Sequence, residues 1–342
     1  MTAQIDPASL KAFGDVAAGH DGVLSDESGG LVIKPCTAKE IAFYEAAPKQ
    51  SPDFAKYIPT YMGTLQLNKP AEATDPTTSS STAPDPTATT AAGTAATLSL
   101  DEAGPMFGKA LTTETSIVLE NVAARFRKPN ILDLKLGAQL WDDAAKPEKR
   151  ARLDKVSAET TSGSLGFRVA GMRVYGARGD APEHKASDYM SMDSVTGYRV
   201  YNKMYGRVFN ADNVNEAFKE YVTAPGVTAA HAKKVFGILE EDVKGIEAAL
   251  MGMECRMYSA SILFVYEGDV EGYEKAVKDY EANPPAQSDD DDDEEEDTFP
   301  RLTAVKLIDF AHASFVPRQG PDENALQGVR SVGKILHDLQ AA

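Results

Sequence analysis

The 342-residue chain is 42% hydrophobic and 25% charged, the balance of a globular protein that can bury a core without cross-links. Its formal net charge of −17 argues against nucleic acid or an anionic membrane as partner, yet nine of its acids fall in one run, Asp289 to Asp297, so the acidity is local. Two distant cysteines, Cys36 and Cys255, exclude a disulfide scaffold and favour a reducing compartment, and the longest apolar run, Ile262 to Tyr266, is too short for a membrane helix. At the start, MTAQIDPASLKAFGD has neither the basic nor the apolar region of a secretory signal, so the chain reads as soluble and intracellular. Leu31 to Lys34 forms a short apolar strand. A helix follows from Thr37 to Ala47, with Thr37 as N-cap and Glu40 at capping-box spacing.

From Ala71 to Thr97, 17 of 27 residues are Ala or Thr, and none is aromatic or a larger aliphatic. Such a segment cannot offset the entropy of ordering and reads as a disordered insertion. SIVLENV (Ser116 to Val122) reads as a strand leading into a connection. PNILDLKLG (Pro129 to Gly137) alternates as a strand between a proline entrance and a glycine exit. A helix is expected over Pro147 to Ser157, because proline suits the first turn and no breaker follows. The clearest period lies in Ala229 to Cys255, where Val235, Leu239, Val243, Ile246, Leu250 and Met253 mark one helical face that reads as core packing. SILFVYEG (Ser261 to Gly268) and LTAVKLIDFAHA (Leu302 to Ala313) read as buried strands. Between them Asn283 to Thr298 reads as a self-repelling acidic loop, and Glu323 to Leu339 as a last helix. Strands and helices in blocks imply an α+β fold of two lobes.

Three places carry side chains suited to phosphoryl transfer, which needs cations for the phosphates, a carboxylate for Mg²⁺ and a group that orients the acceptor hydroxyl. In AGHDGVLSDESGGLVIKP a glycine-bearing turn precedes a strand ending in Lys34, whose ammonium can reach nucleotide phosphates while Glu40 pairs with it; such a turn and lysine are also common structural features. Asp133 and Lys135 are two apart on a strand and share a face, as a phosphoryl-handling pair or as a solvated ion pair. Asp309, between an apolar strand and Phe310, suits Mg²⁺ chelation or simple turn formation.

Together, PNILDLKLG, SLGFRVAGMRVY (Ser164 to Tyr175), SASILFVYEGD (Ser259 to Asp269) and LIDFAHA resemble the inositol polyphosphate kinase family in content and order. The signature Pro-x-x-x-Asp-x-Lys-x-Gly is met by Pro129, Asp133, Lys135 and Gly137. The resemblance is closest to the fungal multikinases, through the GHDG start, the KPNILDLKLG string, the ETTSGSLGFR segment and the acidic run before IDFAH. It implies a two-lobed kinase-like fold, with an N-terminal antiparallel-sheet lobe over residues 1–128, a larger mixed lobe over 129–342, and an ATP cleft between them. By the same resemblance Lys34, paired with Glu40, contacts ATP phosphates, and the segment Glu120 to Val122 offers backbone groups to adenine. Asp133 sits between ribose and inositol as the candidate base, and Lys135 meets the transferred phosphate. Asp309 is the Mg²⁺ ligand, Ser261 lies close to metal and phosphates, and His312 is a substrate-side histidine. The family's Ser-Ser-Leu-Leu is replaced by Ala260 to Leu263, which keeps the second serine; Asp-Phe-Ala and the lack of His-Arg-Asp argue against a protein kinase.

An inositol polyphosphate is a compact polyanion, so its pocket must gather lysine and arginine. KPEKRARLDK crowds Lys146, Lys149, Arg150, Arg152 and Lys155 on one helix, and Lys203 and Arg207 in YNKMYGR form a second cluster with Tyr205 beneath; each alone reads equally as a solvated charge. The expected activity is ATP- and Mg²⁺-dependent phosphorylation of inositol 1,4,5-trisphosphate stepwise to tetrakis- and pentakisphosphate. Alternatives are an inositol hexakisphosphate kinase, or a non-catalytic scaffold meeting transcription factors or other basic proteins through the acidic run. Soluble inositol phosphates are the expected partners of a monomer, without direct nucleic-acid contact or membrane insertion. The resemblance places the chain in nucleus and cytoplasm.

Overall fold

Among the described residues the apolar runs named above supply strands and helix faces, and two large sheets and a two-stranded ribbon result. The computed structural model describes residues 10–14, 22–66, 115–176, 187–282 and 301–342. The insertion expected over Ala71 to Thr97, the acidic loop and most of GHDG lie outside the described residues. The first sheet comes from β1 (Lys11–Ala12), β2 (Leu24–Ser25), β3 (Leu31–Pro35), β4 (Tyr61–Gln66) and β5 (Thr115–Glu120), antiparallel in the order β1-β2-β3-β5-β4. Helices α1 (Ala38–Gln50) and α2 (Pro52–Ala55) connect β3 to β4. Thr37 Oγ1 accepts from the Glu40 N–H at 3.2 Å, so the cap forms as its sequence dictates. The capping box is not closed by the Glu40 carboxylate, which is buried against Lys34 instead. Nor does α1 stop at Ala47: Pro48 rides in its last turn, where it forfeits one main-chain bond while Phe43, Tyr44 and Ala47 stay buried.

The second sheet collects β6 (Pro129–Leu136), β7 (Phe167–Tyr175), β8 (Met190–Asp193), β9 (Tyr198–Tyr201), β11 (Ser261–Glu267) and β12 (Thr303–Ile308) in the order β12-β11-β6-β7-β9-β8. A separate ribbon pairs β10 (Cys255–Met257) with β13 (Ala313–Phe315). Around them lie α3 (Pro147–Ala158), α4 (Thr161–Leu165), α5 (Asn215–Tyr221), α6 (Ala229–Met251), α7 (Val270–Ala282) and α8 (Glu323–Ala341). The periodic face of α6 buries Val235, Leu239, Val243, Ile246 and Leu250 and packs along α8. That helix ends four residues before Cys255, at a Gly252 cap, and Cys255 opens β10.

The long strand expected over Leu302 to Ala313 is broken. β12 stops at Ile308, and Asp309 takes φ +69°, a left-handed backbone that among side-chain-bearing residues Asp and Asn accept best. The next residue explains the break. Phe310 is fully buried, its ring 4.7 Å from Phe43, 5.2 Å from Tyr44 and 6.0 Å from Phe54. Aromatic packing of this kind, worth about 0.5–1.5 kcal/mol per pair beyond area burial, pins the Asp309 turn beneath the N-terminal helices.

Candidate active site

A cleft lies between the sheets, walled by Val32, Leu119, Ile131, Leu263 and Ile308, with Lys34, Asp133 and Asp309 also on its lining. Apolar walls with a few convergent charges suit a flat base carrying an anionic tail. Glu120, Asn121 and Val122 line it too. The N–H groups of Glu120 and Asn121 already donate to the Thr60 and Gly30 carbonyls at 3.0 and 2.8 Å, so a base reaching this segment must use Val122 or the carbonyls. The Glu120 side chain is engaged elsewhere, accepting from Thr60 Oγ1 at 2.7 Å and lying 3.7 Å from Lys306 Nζ.

At the charged end, Lys34 Nζ sits 3.0 Å from Glu40 Oε1 and 2.7 Å from Asp309 Oδ1. Burial alone would favour the neutral amine, but the carboxylates of Asp309 and Glu40 outweigh it and hold Lys34 cationic. Lys135 Nζ is 3.6 Å from Asp309 Oδ2 and donates to the Ser259 carbonyl at 2.9 Å. Asp309 is thus shared by two ammonium groups from different sheets. Ser261, opposite Lys135 on one side and Ile308 on the other, is buried with its hydroxyl unbonded. An unmet buried hydroxyl costs about 1–3 kcal/mol, and next to the Asp309 turn it fits a site that a ligand completes. Among the described residues no three His, Cys, Asp or Glu side chains gather around one point. A single carboxylate suits Mg²⁺, which keeps waters and phosphate oxygens as its other ligands.

Beyond Asp133 the surroundings turn basic. Arg168 on β7 stands directly across from Lys135 on β6, a like-charge pairing that ordinarily destabilises a sheet. Burial, reinforced by Arg207 and opposed by Asp133, pushes the Arg168 guanidinium down to about 10. Burial, Arg207, Arg152 and Arg168 likewise depress Lys203, and burial and Arg152 depress Arg207. Four cations with only Asp133 acting on Arg168 and Glu159 on Arg207 to offset them make a receptor for a polyanion. Gly206 lets the turn Tyr205–Arg207 reach β7, since a Cβ there would lie 1.9 Å from the Val169 carbonyl oxygen. Gly206→Ala is expected to cost about 3 kcal/mol by overpacking against rigid backbone. The check is a urea melt, whose midpoint falls if the turn is displaced.

The sequence profile of the inositol polyphosphate kinase family matches residues 116–337. The chain belongs to the inositol polyphosphate kinase family. It is 32% identical to the inositol polyphosphate multikinase of Saccharomyces cerevisiae over 94% of this chain and 96% of that one. Identity to the Schizosaccharomyces pombe multikinase is 28%, over 94% and 95%. The crystal structure of the S. cerevisiae inositol phosphate multikinase with ADP and Mn²⁺ superimposes with a TM-score of 0.65 at 30% identity, covering 91% of this chain and 99% of that one. The two-lobed α+β kinase-like architecture is therefore that of the family, and the general activity is ATP-dependent phosphorylation of inositol polyphosphates.

In this inositol polyphosphate kinase, Lys34, Glu40, Lys135 and Asp309 are joined in one network, with Asp133 on the cleft wall and Ser261 behind. Lys203, Arg207 and Arg152 meet as a cluster, and Tyr205 is buried below, its ring 4.6 Å from Tyr201 and 5.0 Å from Phe209. The basic helix α3 does not act as one patch. Arg150 turns away, donating to the Ala145 carbonyl at 2.8 Å and to Asp143 O, and covers the Trp141 ring at 4.5 Å. Lys146 is exposed at the N-cap, and the charge of Lys149 acts on Asp142. His312 Nδ1 lies 2.9 Å from Asp142 Oδ2, an oxygen that Lys39 Nζ approaches to 3.6 Å. Sequence reasoning passed over Arg168, Lys39 and Asp142. Only Arg168 carried a usable signal, as a charge inside the apolar strand FRVAGMRVY.

Proposed function

We propose that the chain is an inositol polyphosphate multikinase that converts inositol 1,4,5-trisphosphate stepwise to tetrakis- and pentakisphosphate with ATP and Mg²⁺. The observation that carries this reading is the group Arg152, Arg168, Lys203 and Arg207 gathered beside β6, with Arg168 directly across from Lys135 and under the charge of Asp133 two residues away. Similarity to named multikinases along nearly the full length supports it. In this reading Lys34, steadied by Glu40, grips the nucleotide phosphates, while Val122 and the neighbouring carbonyls receive the base. Asp309 would hold Mg²⁺, which neutralises charge on the phosphate oxygens. Lys135 stabilises the phosphoryl group in transit, and Asp133 orients the acceptor hydroxyl. The basic cluster holds the acceptor's existing phosphates by charge-assisted bonds. No strong base is needed, because bond making to the hydroxyl is late in a loose transition state.

The two lobes over 1–128 and 129–342 divide this labour between nucleotide and inositol. We further propose that the enzyme works as a monomer on soluble inositol phosphates in nucleus and cytoplasm. Its acidic run, Asp289 to Asp297, would meet transcription factors or other basic proteins. Incubation with Mg-ATP and inositol tris-, tetrakis- or hexakisphosphate, resolved by anion exchange, tests the catalytic reading. The expected result is trisphosphate consumed through tetrakis- to pentakisphosphate. Selective consumption of hexakisphosphate would instead make it a pyrophosphate-forming kinase, and no turnover would favour the scaffold.

A further inference from the structure

Asp142 lies in the loop from β6, which carries Asp133 and Lys135, to α3, which carries Lys149 and Arg152. The backbone leading to it is latched at successive points. Gly137, at φ +93°, donates to the Gly166 carbonyl at 2.7 Å, and Asn324 Oδ1 accepts from Ala138 and Gln139 at 2.9 and 2.8 Å. Ser157 and Ser259 hydroxyls donate to the Ala138 and Leu140 carbonyls at 2.6 and 2.9 Å. The side chain so delivered is only 12% exposed. Burial works against its ionisation, but the His312 hydrogen bond and the charges of His312, Lys39 and Lys149 outweigh that and hold its carboxyl below the ordinary value.

Three parts of the enzyme converge on this carboxylate. His312 comes from the turn that begins at Asp309, Lys39 from α1 beside the Glu40 that steadies Lys34, and Lys149 from α3. A ring nitrogen facing a carboxylate at hydrogen-bond distance is the one that carries the proton, which fixes what the other nitrogen presents. We infer that Asp142 is a positioning residue: it holds His312 by Nδ1 so that Nε2 faces the acceptor's phosphates, and through Lys39 it ties that orientation to the nucleotide lobe. The inference rests on the proposed function together with the family resemblance, by which His312 is a substrate-side histidine. Without the carboxylate, the ring can flip and exchange tautomers, so its outward nitrogen no longer meets the phosphate in a fixed state.

The test uses the full chain with Mg-ATP and inositol 1,4,5-trisphosphate, and compares Asp142→Asn, Asp142→Glu, His312→Ala and the Asp142→Asn/His312→Ala double variant. Asp142→Asn is expected to raise the KM for the inositol phosphate about tenfold, with the KM for ATP changed less than about twofold. Asp142→Glu recovers part of the loss, and in the double variant the Asn substitution adds nothing to the histidine effect. Imidazole ¹⁵N shifts of His312 show protonated Nδ1 in the parent and a mixture of tautomers in Asp142→Asn. A KM raised by His312→Ala but untouched by Asp142→Asn overturns the positioning role and leaves the substrate-side histidine standing. No effect of His312→Ala overturns both. Equal worsening of both KM values and of kcat, with a lowered melting temperature, means a merely structural carboxylate and also overturns it. Should the Asp142 variants fail to fold, the parent ring decides: protonated Nδ1 supports the inference, and protonated Nε2 defeats it.

Discussion

Replacing Asp309 with asparagine is expected to lower kcat by about 10²–10³, at the cost of only a few degrees in melting temperature. The catalytic loss follows from the proposed role: Asp309 would be the carboxylate that holds the metal, and an amide is a poor substitute for a hard anionic oxygen. Metal and preorganised charges each supply several kcal/mol to a transition state of this kind, and about 10²–10³ in rate is lost when one such group is removed. The small structural loss follows from the neighbours. Lys34 keeps Glu40 at 3.0 Å, and Lys135 keeps the Ser259 carbonyl at 2.9 Å. Asparagine also tolerates the left-handed backbone of position 309, whereas alanine would add strain there. Steady-state turnover and ADP calorimetry with and without Mg²⁺ check the result. ADP should still bind the variant without metal, and the gain from adding Mg²⁺ should disappear. A kcat within tenfold of the parent would sink the metal assignment.

Lys135→Met is expected to cut kcat by about 10²–10³ while leaving the KM for ATP within a few-fold, because in the proposed mechanism the ammonium serves the moving phosphoryl group rather than the resting nucleotide. Methionine keeps most of the aliphatic stem. It also removes the like charge that stands opposite Arg168 in the β6–β7 register. The melting temperature should therefore hold or rise, which separates lost chemistry from lost folding in one sample. Raised KM for ATP with kcat preserved would reassign Lys135 to nucleotide grip.

What could be read in advance divides along a physical line. Strands β3, β5, β6 and β11 and helices α6 and α8 were legible because burial on a face writes its own period into the sequence. So was the Asp133–Lys135 pair, since two-residue spacing on a strand fixes a common face. The break at Asp309 was not, because it is decided by Phe43, Tyr44 and Phe54, more than 250 residues away in the chain. Glu40 shows the same limit: its local spacing promised a reciprocal cap, and a lysine on the preceding strand claimed the carboxylate. Arg150 was counted among the basic residues of its helix until the Trp141 ring and two loop carbonyls accounted for it. The meeting of Asp142, His312 and Lys39 depends on three loops and helices arriving together, and a single sequence holds no mark of it.

The contact of Gly206 with the Val169 carbonyl also bears on how such an enzyme can change under selection. With no room for a side chain at 206, the turn bearing Lys203 and Arg207 cannot slide along β7 or be re-spaced by small steps. A descendant that favours a different arrangement of phosphates must be reached by exchanging side chains on a fixed frame. Libraries aimed at altered positional preference belong at 152, 168, 203 and 207, with 206 left as glycine in every member.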